Sequence, residues 1–521
     1  MQPLPLTPVA SHLRDELLAA SGALKEHGPA YHVAGMGAAF YFAYEQLRNA
    51  AEYREHHLLL RSAIGRFLAR YVSLDNFEPA AGELITELTQ AGYLKNDSVP
   101  LATVTEIDRL LKNYALMYQT LHATRRLSRG TTADWFYDLA AVKIETLITP
   151  DPLNPIVMQF AFEHFLAAVD RTATLGKLRP DDQHYRIAMY CAVQRALFKS
   201  DLATIRYFCV STSLPDLMHT PIEHFVDLNL MITDLYQAPV TNKLFRLVNR
   251  YGAPMRILRE VVLGGDASEL LPNRAGTLER VRLTCGVQYQ AVHHKLRARL
   301  GKAILFVFIT KTVVGVAIEV PYDIAVTGMI SWTPLAVNIL FPILYLAAFS
   351  ASISVPSSQN TELIASYIDR ILYDSGGAPV EYRPRRRVSK RSLNAAFNLI
   401  YGLGFLGSLA LLLWALDLLG FNVVNGLVFF VFLSAVSFLG FRLRGVSREL
   451  VLIDERQGVL QTLADFLTAP FVRIGHWLSD TYSRVNLVTG VLDMLIEMPL
   501  KTTLRLMRQW VGFLRDKQDE L

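Results

Sequence analysis

Residues Gly301–Val355 read GKAILFVFITKTVVGVAIEVPYDIAVTGMISWTPLAVNILFPILYLAAFSASISV, and the fold turns on them. They hold two apolar runs, Ala303–Val320 and Met329–Val355, separated by the short segment Pro321–Gly328. Each run is close to the ~20 residues that a helix needs to cross ~30 Å of hydrocarbon. Two further runs, Leu393–Leu419 and Val423–Phe441, repeat the pattern. Together the four predict an all-α polytopic membrane protein whose transmembrane helices pair as two hairpins.

Composition points the same way. The 521 residues are 51% hydrophobic and mean hydropathy is +0.24, against an apolar share of ~45–50% in ordinary soluble proteins. The excess lies after Gly301. A net charge of +5 is small and implies no nucleic-acid partner. Cys191, Cys209 and Cys285 stand at no metal-ligand or redox spacing and read as buried thiols of a reducing compartment. Met1–Leu24 carries His12, Arg14, Asp15 and Glu16 where a signal peptide needs an apolar core, so the first run is expected to serve as its own insertion signal.

The charges between the runs alternate. Lys295, Arg297, Arg299 and Lys302 precede the first run, while Asp323 is the only charge between the first and second. Arg383, Arg385, Arg386, Arg387, Lys390 and Arg391 lie between the second and third. Asp417 and Asn422, with no Lys or Arg, lie between the third and fourth; Arg442, Arg444 and Arg448 follow. By the positive-inside rule this predicts four spans with both termini cytoplasmic, in a bacterial-type inner membrane or its equivalent. The terminal Lys517-Gln518-Asp519-Glu520-Leu521 approaches an ER-retrieval tetrapeptide, but that signal is read in the lumen and this tail is expected on the opposite side.

Five segments follow. Residues 1–300 are expected as a cytoplasmic helical domain, with apolar residues at helical spacing over Val33–Ala51, His57–Val72, Val104–Leu121, Trp135–Ile148, Ile156–Val169 and Gln183–Phe198. Thr277–Leu300 contains no Pro and is expected to continue as helix into the first span. Residues 301–355 form the first hairpin, 356–392 a basic cytoplasmic loop with a short helix near Thr361–Tyr373, and 393–442 the second hairpin. Residues 443–521 form an amphipathic helical tail. Within it Leu500, Leu504, Met507, Val511 and Leu514 oppose Lys501, Arg505, Arg508 and Arg515, a pattern suited to lying in the membrane interface or packing on protein.

Lys311 is the sharpest single feature, because it falls inside the first run. A central Lys costs about 2.5–3.5 kcal/mol on the insertion scale, so this span needs a partner helix. A hairpin turn near Ala325 puts Asn338 at similar depth, and Asn338 is expected to face Lys311 and offer its amide oxygen. Glu319 lies about 12 Å further along the axis at 1.5 Å per residue, which places it outside direct pairing. Pro334 and Pro342 are expected to kink the second span or be accommodated by neighbours. Gly402, Gly404 and Gly407 spell G-x-G-x-x-G inside a span with no preceding strand, which argues for close helix packing rather than nucleotide binding. The basic residues from Arg383 to Arg391 set topology and suit anionic lipid headgroups, at ~1 kcal/mol each near the surface.

No catalytic, metal or cofactor motif emerges. His219 and His224 are five apart with Pro221 between them, which is not the spacing of a zinc-binding helix. The sequence therefore favours a non-enzymatic, membrane-anchored scaffold that holds a protein partner on the cytoplasmic side. The alternatives are a small transporter or channel component using Lys311 and Asn338, in an oligomer through the Gly402–Gly407 face, and a membrane-bound enzyme acting on lipid.

Overall fold

A computed structural model shows an all-α chain. It describes residues 5–21, 29–33, 42, 45, 58–73, 81–123, 129–178, 180–214, 220–264, 267–351, 356–373, 381–383, 391–452, 466 and 468–478. The helices are α1 (Pro8–Ser21), α2 (Leu59–Ser73), α3 (Ala81–Gln90), α4 (Leu101–Ala123), α5 (Arg129–Ile148), α6 (Leu153–Ala168) and α7 (Arg171–Leu175). Then come α8 (Asp182–Val193), α9 (Leu202–Ser213), α10 (Ile222–Tyr236), α11 (Pro239–Tyr251), α12 (Ala253–Leu263) and α13 (Ala267–Leu270). The last are α14 (Arg274–Val314), α15 (Val320–Thr327), α16 (Trp332–Ala351), α17 (Ser358–Leu372), α18 (Arg391–Leu418) and α19 (Val423–Arg448). Two π-helical turns, Gln194–Phe198 and Gly315–Glu319, extend α8 and α14. Extended pairing among the described residues is limited to isolated bridges such as Leu6 with Tyr373 and Val169 with Tyr382.

The chain forms two compact units. One gathers Met1–Arg14, Ala168–Thr174 and Leu247–Val485; the other gathers Asp15–Ala167, Leu175–Arg246 and Asn486–Leu521. Residues 1–300, expected as one domain, contribute to both.

The second unit is built on two apolar cores. Ile64, Leu84, Ile107 and Ile144 join α2–α5, while Trp135, Leu139, Cys191, Ile205 and Ile232 join α5 and α8–α10. Side-chain caps start α8 and α9: Asp181 accepts the His184 N–H and Asp201 the Thr204 N–H. Arg206 is buried beside the second core, where Nε donates to Asp138 Oδ2 at 2.9 Å and Nη1 to Asn229 Oδ1 at 2.9 Å. Burial pushes the Asp138 carboxyl up to about 6 even though Arg206 opposes the shift. Burial likewise raises the Cys191 thiol to about 12.

In the first unit, α14 is one uninterrupted helix of 41 residues, about 60 Å long. Asn273 caps it by accepting the Gly276 N–H at 3.1 Å. Its first half packs against α12 and α17, burying Val281, Cys285 and Tyr289. The Arg274 guanidinium binds both Asp369 oxygens of α17, at 2.6 and 2.7 Å. Its second half packs against α16 and α19 through Leu296, Leu300, Val307, Leu346, Val436 and Leu443. The continuity expected from Thr277–Leu300 into the first apolar run is thus a single rod.

Two helices among the described residues are long and apolar enough to cross a membrane: Arg274–Val326, which takes in the π-turn, and Val423–Phe441. Four were expected. The apolar stretches of α16 and α18, Trp332–Ala348 and Gly402–Leu418, are shorter. The helices themselves run for 20 and 28 residues. Gly328 and Gly420 end α15 and α18 with φ of 74° each, a left-handed conformation that glycine adopts without penalty. Pro334 falls in the first turn of α16, where no intrahelical N–H is needed, and Pro342 lies inside the helix.

Of the expected amphipathic tail, residues 468–478 are helical and carry an exposed Trp477. The stripe from Leu500 to Leu514, and most of the expected helix Val33–Ala51, lie outside the described residues.

Buried Asn360 of α17 ties three segments together. Its Nδ2 donates to Tyr289 Oη (2.8 Å) and to the Leu450 carbonyl (2.9 Å), and its Oδ1 accepts the Leu452 N–H (2.8 Å). Asn360→Ala strands these partners and is expected to lower stability by about 2–4 kcal/mol, read from thermal unfolding of the purified protein. A second expectation concerns Asp138, whose folded-state value is raised above its ordinary 3.8. The resulting penalty is absent below that value and complete above about 6, so stability falls as pH rises through this window. Asp138→Asn is expected to flatten that part of the stability–pH profile.

Candidate functional site

The apolar helices of the first unit are inverted relative to a water-soluble core. Their exposed positions are large and apolar, including Phe306 (67% exposed), Leu344 (63%), Leu403 (61%) and Val423 (83%). Their buried positions include Lys311, Glu319, Asp323, Asn338, Asn425, Ser434 and Ser437. These polar residues come from α14, the π-turn, α15, α16 and α19, and most of them form one connected network.

Lys311 is its inner end. The side chain is fully buried, with Nζ 3.3 Å from Glu319 Oε1 and 4.4 Å from the centre of the Phe432 ring. Glu319 Oε2 accepts Asn338 Nδ2 at 2.8 Å, and the same nitrogen donates to the Asn425 carbonyl at 3.2 Å. The Asn425 Nδ2 donates to Asp323 Oδ1 at 3.2 Å, and Asn422 Nδ2 reaches the same oxygen at 2.6 Å. Asp323 Oδ2 accepts the Ser331 N–H at 3.1 Å. The network therefore runs from the second half of α14 to the turns at the far ends of α15 and α19.

The Lys311–Glu319 pair corrects the expectation that these residues lie too far apart. In an unbroken α-helix, residues eight apart differ by about 80° around the axis. The wide turn Gly315–Glu319 absorbs one extra residue, which brings Glu319 to about 20° from Lys311. Helical side chains lean towards the N-terminus, so Glu319 inclines back while the long Lys311 stem reaches forward. Gly315 lets α16 come close at this turn, since a Cβ there would meet Leu335 Cδ1 at 3.0 Å. The expected contact between Lys311 and the Asn338 amide oxygen is corrected too. Asn338 turns its amide nitrogen to Glu319, which stands between the two, and its Oδ1 has no hydrogen-bond partner among the described residues.

The other singled-out residues are dispersed. Gly404 of α18 lies against the Phe466 ring, whereas a Cβ at Gly402 or Gly407 would meet nothing within 4 Å. Gly475 makes the closer helix approach, facing the Ser434 carbonyl and Phe438 of α19, and it was missed because one glycine in an amphipathic stretch carries no spacing signal. Arg383 is engaged by protein carboxylates, Asp170 at 3.3 Å and Glu381 at 3.0 Å. Arg385, Arg386, Arg387 and Lys390 lie outside the described residues, and Arg391 opens α18. Asn422 and Asn425 were also missed. Their signal is a polar pair at the start of the fourth run, where Asn422 precedes the helix and accepts the Asn425 N–H at 2.8 Å.

No family model matches the chain, and no curated protein or solved structure matches it.

Breaking a buried ion pair costs about 3–5 kcal/mol, whereas replacing both charges together is often neutral. Lys311→Met is therefore expected to destabilise the protein by that amount, and Lys311→Met with Glu319→Gln to recover most of it. A double-mutant cycle on detergent-purified protein, read by thermal unfolding, measures the coupling; additive losses would remove the pair from the account.

Proposed function

We propose that this chain is an integral membrane protein that anchors a large helical body to the bilayer and acts there as a scaffold for a protein partner. The observation that carries the reading is the inverted polarity of α14–α16, α18 and α19. Their outward faces carry many large exposed apolar side chains, more than a water-facing surface sustains, while Lys311, Glu319 and Asp323 are buried between them.

In this reading all four apolar helices lie in the bilayer, and α16 and α18 are completed by flanking residues. The basic segments face the cytoplasm, with both termini, and the turns after α15 and α18 face outward. Residues 383–391 approach anionic headgroups through those basic side chains that protein carboxylates leave free. Partner binding falls to the helical faces on the basic side, where most of the chain resides.

A second reading, passage of a small ion or proton, is favoured by one observation: the polar network within the apolar helices. Ionisable groups inside spans are rare and mark ion or proton routes by default.

Orientation is tested by single cysteines and a membrane-impermeant maleimide. Met329→Cys and Leu419→Cys are expected to react from outside intact cells, and Glu381→Cys only after permeabilisation; the reverse pattern would refute the topology. Affinity purification in mild detergent then separates the functions. Stoichiometric co-purification of a partner supports the scaffold, and an empty, monodisperse oligomer contradicts it.

A further inference from the structure

We infer that the polar network between α14, α16 and α19 contains a binding site for a monovalent metal cation, sodium or potassium, lined by the side-chain carbonyls of Asn338 and Asn425 beside Glu319 and Asp323. The site stands on the geometry of this network and needs neither functional reading.

The argument begins with two acceptors. Asn338 and Asn425 are 0% and 1% exposed, and the Oδ1 of each has no hydrogen-bond partner among the described residues. Turning the amides over does not help. The Asn338 nitrogen is held by Glu319 Oε2 and the Asn425 carbonyl, and the Asn425 nitrogen by Asp323 Oδ1. A reversed amide would set oxygen against oxygen in both cases, so the carbonyl ends are the ones left over. A buried acceptor left in this state costs about as much as a lost hydrogen bond, and two occur in one network.

What the site takes follows from its surroundings. Both carbonyls belong to amides whose other end touches a carboxylate, so both lie in the negative field of Glu319 and Asp323. Lys311 is directed to Glu319 Oε1 and the Phe432 ring and hydrogen-bonds neither carbonyl. Neutral oxygen donors beside carboxylates are the ligand set of a hard cation. The helix is also irregular at this point, through the π-turn Gly315–Glu319. Such π-turns inside α-helices occur frequently at functional sites.

The test uses the full-length protein in detergent, with sodium, potassium or choline chloride at equal ionic strength. Sodium or potassium in place of choline is expected to raise the unfolding midpoint by roughly 3–6 °C. The same cation is expected to slow labelling of Glu319 or Asp323 by an apolar carbodiimide several-fold, as mapped by mass spectrometry. Labelling is read on the wild-type chain, so it localises the site even where Asn338→Leu or Asn425→Leu fails to fold. Where a variant folds, it is expected to lose the cation-dependent midpoint shift. Identical midpoints and labelling rates in all three salts would show that the carbonyls are met by water alone and overturn the proposal. A shift that persists in a folded variant would overturn it as well. Cation binding without flux in vesicles would leave this site standing while removing the transport reading.

Discussion

The first unit depends on one electrostatic constraint: an ammonium enclosed among apolar helices must meet an opposite charge. Lys311 meets Glu319, and the surrounding geometry follows from that pairing. The π-turn brings Glu319 round to the Lys311 side of the helix, Gly315 lets α16 close over the turn, and Asn338 reaches the second carboxylate oxygen. Asn425 then ties α19 to α16 and α15. Each link fixes the depth of one helix against another, which apolar packing alone leaves free to slide.

The long helix α14 carries this constraint away from the network. Its second half contacts α16 and α19, and its first half contacts α12 and α17. A displacement at Lys311 therefore has a long lever, with no break in the helix until the cap at Asn273. The Arg274–Asp369 clamp and the Asn360 junction hold the other end of that lever. Coupling of this kind suits a scaffold that must present a fixed surface, and it equally suits transmission of a binding event within the apolar helices.

Much of the helical architecture was legible in the sequence, because amphipathic spacing and Pro/Gly breaks report local structure directly. His57–Val72 became Leu59–Ser73, and Thr361–Tyr373 became Ser358–Leu372, each within three residues at either end. Lys311 was legible for a different reason, since a charge inside an apolar run has no ordinary explanation. Its partner was not. Reckoning along a regular helix put Glu319 out of reach, and a π-turn leaves no reliable mark in sequence. Asn338 was singled out by depth, but the direction of its amide depends on Glu319 and Asn425, which only the assembled helices bring together. The division into two units was also hidden, because Ala168–Thr174 joins the first unit through the bridge of Val169 with Tyr382, a contact more than two hundred residues apart.

The most direct measurement is an electron cryo-microscopy map of the protein in a lipid nanodisc. The account predicts a lipid belt around Phe306, Leu344, Leu403 and Leu427, with Lys311 and Glu319 in contact inside it and shielded from the acyl chains. A belt that leaves these helices in water, or that shows Lys311 turned away from Glu319 towards lipid, would contradict it.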